Sequence, residues 1–121
     1  MSAKNLSFEQ TRDVAKTGTI DELKATILDV RTAGEFKDGH VPNAVNVPVG
    51  ELGQALTLTP VEFNKEYKFN LPKQDSKTEA LLVYCKSGMR TKMAVQALAK
   101  LGYEDNLYTY SGGWDDYSKQ V

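Results

Sequence analysis

At 121 residues, with 40% hydrophobic residues and no apolar run near the roughly 20 needed to cross a bilayer, the chain fits one domain over 1–121 outside the membrane. Fifteen basic residues are scattered among sixteen acidic ones for a formal charge of −1, a pattern that excludes an electrostatic footprint for nucleic acid. The single cysteine excludes an internal disulfide, and "MSAKNLSFEQTRDVAK" has neither a signal core nor the character of a transit peptide, so cytoplasmic residence is expected.

Ser7 is a good N-cap for "FEQTRDVAKTG", which predicts a short helix stopped at Gly18. "ATILDV" at 25–30 is too short for a helix and predicts a buried strand presenting Asp29 and Arg31 at its C-terminal end. "AVNVP" at 44–48 predicts another short strand. Thr59 caps a helix with Pro60 at its first position, and Val61, Phe63 and Tyr67 are expected on or near one face. "ALLVYC" at 80–85 is apolar at both alternating sets of positions, as a central parallel strand requires. From Met89 a helix is expected with Met93, Ala94, Ala97, Leu98 and Leu101 on its apolar face and Gly102 as its stop. "NLYTY" at 106–110 predicts a last strand, and "GGWDDYSKQ" a terminal helix. Strands alternating with helices predict an α/β fold, a mostly parallel sheet covered on both sides, whose functional groups collect at the carboxyl ends of strands.

Cys85 lies at such an end, in "YCKSGMRT". A lone cysteine closing a strand is commonly a small buried apolar residue. Here it directly precedes a helix N-terminus, where unpartnered N–H groups and the helix dipole stabilise an anion. Lys86 and Arg90 add positive charge, and Gly88 lets the backbone curl its N–H groups inward. These features predict a partly exposed thiol of depressed pKa facing an anionic substrate.

The Cys-x-x-Gly-x-Arg stretch, with "LDVRTAGEFKDGHVPNAVNVP" at 28–48 and "YSGGWDDY" at 110–117, resembles the three signatures of the rhodanese-like sulfurtransferases. "LGQALTLTPVEFNKEY" further resembles the small single-domain thiosulfate sulfurtransferase/rhodanese-like proteins of eukaryotes. The resemblance implies a rhodanese-like three-layer fold, with a central sheet of about five strands and helices on both faces. It also implies a sulfane sulfur carried as a persulfide on Cys85, taken from a small anionic donor such as thiosulfate and passed to cyanide or a thiol. Glutathione or a thioredoxin-like protein is the implied acceptor, and no metal or organic cofactor is needed. Lys86, Ser87, Gly88, Met89 and Arg90 are then substrate-binding, through the two cations and the backbone N–H groups of 86–90. The alternatives are a small phosphatase or arsenate reductase of the same fold and a non-catalytic binding module. The six-residue loop from Cys85 to Arg90 disfavours the first, because a smaller ring of N–H groups fits one sulfur rather than a phosphoryl group. Retention of Cys85 in a basic loop disfavours the second. Ser87 stands where the two-domain mammalian enzymes carry a third basic residue.

Outside the loop, Asp29 and Arg31 are expected as a structural pair supporting the site, with contact of Arg31 to substrate as the alternative, and Glu35 is expected in the same network or as a solvated helix residue. His40 is expected to hold structure by hydrogen bonding, and Trp114 to wall the pocket or pack in the core.

Overall fold

The computed structural model describes residues 3–121. In chain order the elements are β1 (Lys4–Asn5), α1 (Phe8–Thr17), β2 (Thr19–Ile20), β3 (Leu23–Asp29), α2 (Ala33–Asp38) and β4 (Val45–Asn46). They continue with α3 (Val49–Ala55), α4 (Pro60–Tyr67), β5 (Glu79–Tyr84), α5 (Met89–Lys100), β6 (Leu107–Tyr110) and α6 (Gly113–Gln120). The sheet runs β1-β6-β5-β3-β2, with β4 also beside β3. It has six strands rather than about five, and every pairing is parallel except β2 with β3.

Local chemistry sets three of the six helix starts among the described residues. Ser7 and Gln10, Thr32 and Glu35, and Thr59 and Glu62 each form a reciprocal capping box, so two orphan N–H donors are satisfied at three helix starts. Gly18 closes α1 in a left-handed conformation. By contrast α3 has no side-chain cap and two internal glycines, and nothing in its sequence announces a helix. It forms because Leu52 and Ala55 bury in the cluster that holds Leu28 and Val83 of the sheet and Ala94 and Leu98 of α5.

The alternation along β5 divides the interior. Leu81, Val83 and Cys85 face one layer with Leu28, Leu52, Phe63 and Leu98, while Ala80, Leu82 and Tyr84 face the other with Val14, Ala15 and Tyr117. The helical faces differ in two places from the sequence expectation. The inner stripe of α5 is Thr91, Ala94 and Leu98, and Met93 and Leu101 are exposed. One position is a 100° rotation on a helix, so a short run of apolar residues fits two neighbouring stripes, and packing chooses the smaller side chains here. On α4, Phe63 is buried but Val61 lies in solvent.

Register places the site. Asp29 pairs with Tyr84, and Tyr84 with Tyr110, so β3, β5 and β6 end at one level. The segments leading to α2, α5 and α6 therefore emerge side by side from the carboxyl edge.

Candidate active site

Cys85 follows the last residue of β5, and Gly88 is the N-cap of α5 with φ of 105°. A Cβ at Gly88 would sit 3.1 Å from the Ser111 carbonyl oxygen, so this turn needs glycine for both conformation and space. The loop is held from behind by α6. The N–H groups of Trp114 and Asp115 donate to the carbonyls of Cys85 and Lys86 at 2.8 and 3.0 Å. Because a trans peptide points its C=O and N–H in opposite directions, drawing these carbonyls outward turns the following N–H groups inward. The Ser87 N–H, which follows the Lys86 carbonyl, acts on the sulfur, and the Gly88 N–H at the N-cap of α5 donates to Cys85 Sγ at 3.0 Å.

The sulfur is more enclosed than the sequence suggests. Cys85 is 1% exposed and packs within the interior cluster, which corrects the expectation of a partly exposed thiol. That burial pushes its pKa up. The Thr91 side chain and the backbone N–H groups of Thr91, Gly88 and Ser87 push it down and prevail, so the thiol ionises below its ordinary range. Thr91 Oγ1 is itself buried and has no hydrogen-bond partner, which leaves its proton free to turn towards a thiolate. Thr91 was missed in the sequence, although the readable signal was there: a hydroxyl in the first turn of the helix that follows the candidate cysteine. Thr91→Val should move the pH midpoint of iodoacetamide alkylation upward while leaving the fold intact, and the wild-type midpoint should lie below the roughly 8.5 of a free thiol. An unchanged midpoint would remove Thr91 from the site.

Neither cation is free. Arg90 makes a two-pronged pair with Glu35, Nη1 to Oε1 at 2.6 Å and Nη2 to Oε2 at 3.1 Å. Glu35 Oε1 also accepts from the Thr32 N–H and hydroxyl, so α2 carries the carboxylate in a fixed position. Arg90 holds the Glu35 carboxyl down at about 2. Lys86 pairs with Asp115 at 3.1 Å, in a bridge whose two side chains are each about half exposed. Charges expected to depress the thiol are thus largely spent on carboxylates, and hydrogen-bond donors take over that role. Met89 turns its side chain to solvent at 73% exposure. Ser87 is exposed apart from its backbone N–H at the sulfur.

The remaining residues form the floor. Arg31 and Asp29 are buried, with Arg31 Nη2 2.7 Å from Asp29 Oδ2 and equally close to the Gly39 carbonyl. Glu35 belongs with Arg90 and not with this pair. Trp114 covers the Arg31 guanidinium at 5.5 Å and stacks on Tyr117 at 6.0 Å. It braces the floor, and its backbone braces the loop. His40 stacks on the Phe36 ring at 3.7 Å and bonds the Phe36 carbonyl through Nδ1 at 2.7 Å, contacts that tie it to α2. No cluster of three metal-ligating side chains occurs among the described residues, and no helix there is long and apolar enough to cross a membrane. A low-pKa thiolate inside a ring of inward N–H donors can attack a soft electrophile and hold the resulting anion.

Comparison with known proteins gives the family. The model of the rhodanese-like domain matches residues 11–120. A Schizosaccharomyces pombe protein named putative thiosulfate sulfurtransferase, mitochondrial, is 38% identical over 122 residues, covering 98% of this chain and 82% of its own. A human thiosulfate:glutathione sulfurtransferase is 31% identical over 115 residues, covering 95% and 93%. The solved structure of a human single-domain sulfurtransferase superposes with a TM-score of 0.83 at 30% identity, covering 99% of each chain.

Proposed function

The chain belongs to the rhodanese-like domain family and is a rhodanese-type sulfurtransferase, and from that premise we propose that it carries the transferred sulfur as a persulfide on Cys85. The Cys85 thiolate attacks the outer sulfur of thiosulfate. The bond between the two sulfurs breaks, its electron pair leaves with sulfite, and Cys85 is left as a persulfide anion. An acceptor thiolate or cyanide then attacks the outer sulfur and returns Cys85 as thiolate. Charge and electrons balance in both halves without a metal or cofactor.

The contact that carries the reading is the Gly88 N–H on Cys85 Sγ at 3.0 Å, inside a six-residue loop whose carbonyls are drawn outward. The same donors suit the outer sulfur of a persulfide, where the negative charge comes to rest. We assign Lys86, Ser87, Gly88, Met89 and Arg90 to binding, Thr91 to the sulfur, and Asp29, Arg31 and Trp114 to support. The names of two relatives, from human and Saccharomyces cerevisiae, point to glutathione as the acceptor. One domain over 1–121 and cytoplasmic residence complete the proposal; import of the tagged chain into mitochondria would overturn the latter.

The test is the intact mass after thiosulfate treatment. Wild-type protein should gain one sulfur atom and lose it to glutathione, and Cys85→Ser should gain none. A wild type that never gains sulfur would overturn the reading.

Arg90 should matter more than Lys86. It projects a fixed fork from the loop and is held by two bonds, whereas Lys86 ends in a mobile and screened charge. Arg90→Ala should lower kcat/KM for thiosulfate at least tenfold, about 1.4 kcal/mol in transition-state stabilisation, and Lys86→Ala should cost less. Equal, negligible losses would leave binding to the backbone donors alone.

A further inference from the structure

The buried pair beneath the loop reaches outward to Gly39. Arg31 donates to Asp29 through Nε and Nη2, and Nη2 also donates to the Gly39 carbonyl at 2.7 Å. Asp29 and Arg31 are enclosed, so this charge-assisted bond is shielded from water and fixes the carbonyl of the turn after α2. The Gly39 N–H donates to the Phe36 carbonyl at 3.2 Å, so the residue is tied on both sides.

Gly39 in turn abuts Trp114. A Cβ there would lie 2.8 Å from Trp114 Cζ2, and 3.5 and 3.6 Å from Cε2 and Cη2, so the benzo edge of the indole fills the space that a side chain at 39 would need. The ring is backed by the Arg31 guanidinium at 5.5 Å and by the Tyr117 ring at 6.0 Å, 18° from parallel. Trp114 is the second residue of α6, and its N–H is the donor that draws out the Cys85 carbonyl at 2.8 Å. Contacts therefore run unbroken from Asp29 through Arg31, Gly39 and Trp114 to the residue that bears the sulfur.

We propose that Gly39 is a positioning residue for sulfur transfer: the side chain it lacks leaves the seat of the Trp114 indole, and the seated indole sets the first turn of α6 where it aims the loop N–H groups at the sulfur. This rests on the sulfur-transfer reading above. Carbon atoms rest at about 3.5–4.0 Å, so a methyl at 39 drives the ring edge back by roughly 1 Å. The Gly39 backbone is tied at its carbonyl and its N–H, so the ring gives way first and the start of α6 moves with it. The Cys85 and Lys86 carbonyls then lose part of their hold, and the thiolate loses the inward N–H groups that stabilise its charge. Gly39→Ala also strains its own backbone at φ of 158°, a separate cost to stability.

The experiment is a cycle of Gly39→Ala, Trp114→Phe and the double variant. Each is read by the pH midpoint of iodoacetamide alkylation, by kcat/KM for thiosulfate from thiocyanate release, and by Tm. Gly39→Ala should raise the midpoint by about half a unit or more and lower kcat/KM roughly tenfold to a hundredfold, the scale of an ångström-sized misplacement. Trp114→Phe loses the seat without the clash and should move both in the same direction by less. A phenyl ring ends short of Cζ2, so the double variant should return to the midpoint and kcat/KM of Trp114→Phe while its Tm stays low from the backbone strain. A merely structural role would lower Tm and leave the midpoint where it is. Gly39→Ala with a wild-type midpoint, or an equal effect of Gly39→Ala in both backgrounds, would overturn the positioning role. If Gly39→Ala does not fold, Trp114→Phe decides alone, and an unchanged midpoint and kcat/KM there overturn it. Absence of thiocyanate from wild type would instead overturn sulfur transfer itself; the midpoints need no sulfur donor and still decide whether Gly39 positions the thiol.

Discussion

Gly113→Ala should cost the protein several kcal/mol of stability and most of its sulfur transfer. Gly113 has φ of 65°, and a Cβ built there would lie 2.5 Å from the carbonyl oxygens of both Cys85 and Lys86. Left-handed backbone at a non-glycine residue costs roughly 1–3 kcal/mol, and forced overpacking a similar amount. The obstructing atoms are backbone, so no side chain can swing aside. Relief requires moving the first turn of α6 away from the loop, which breaks the Trp114 and Asp115 N–H contacts to those carbonyls. Once the carbonyls are released, the N–H groups of Lys86 and Ser87 lose the constraint that faces them inward, and the thiol loses donors. Thermal unfolding and thiosulfate kinetics on one preparation check this. A drop in Tm with undiminished kcat/KM would show that the α6 contacts hold the fold but not the cradle; an unchanged Tm would refute the packing argument.

Inserting one glycine between Ser87 and Gly88 should have the second large effect. The six-residue loop closes tightly enough to bring the Gly88 N–H to 3.0 Å from Sγ, with the Gly88 turn set against Ser111. A seventh residue widens the ring while retaining Cys85, the Arg90 side chain and the inner face of α5. Preorganised donors act only when aimed at the charge that develops, so thiosulfate:cyanide activity should fall by roughly a hundredfold, the scale of losing one such donor. A ring of that size has room for a phosphoryl group, and weak release of p-nitrophenol from its phosphate ester is the expected gain. Thiocyanate and p-nitrophenol release are measured on both proteins, with Cys85→Ser as blank. Wild-type protein that hydrolyses the phosphate ester and forms no persulfide would sink the size argument. So would an insertion variant that transfers sulfur as well as wild type.

Much of this molecule is legible without coordinates, for local reasons. Ser7, Thr32 and Thr59 each precede by three residues the Gln or Glu that completes a capping box, and such a cap depends on a span of only four residues. The run "ALLVY" is apolar on both faces because both faces are covered, which identifies a central strand, and the strand locates Cys85 at the carboxyl edge. The three motifs around it point to the family and its chemistry, since the loop's length and its glycine are properties of consecutive residues. Other elements carry little local signal. The strands Lys4–Asn5 and Thr19–Ile20 consist of two residues each and exist through their partners, and α3 is helical despite its glycines because Leu52 and Ala55 bury in the core beside α5.

Long-range partners lie beyond such reading, because charge and burial belong to what folding brings together. In the sequence, Lys86 and Arg90 are two bare cations beside a thiol. Glu35 lies 55 positions from Arg90 and Asp115 29 from Lys86, and only the shared level of β3, β5 and β6 makes them neighbours. The exposure of Met93 and the enclosure of Cys85 were likewise settled by packing, which had two adjacent helical stripes to choose between and a loop to close. The order of residues thus determined the candidate nucleophile, the size of its loop and the family. The tertiary structure decided what compensates the cations and what lowers the thiol, since an electrostatic energy depends on distance in space, and sequence separation does not determine that distance.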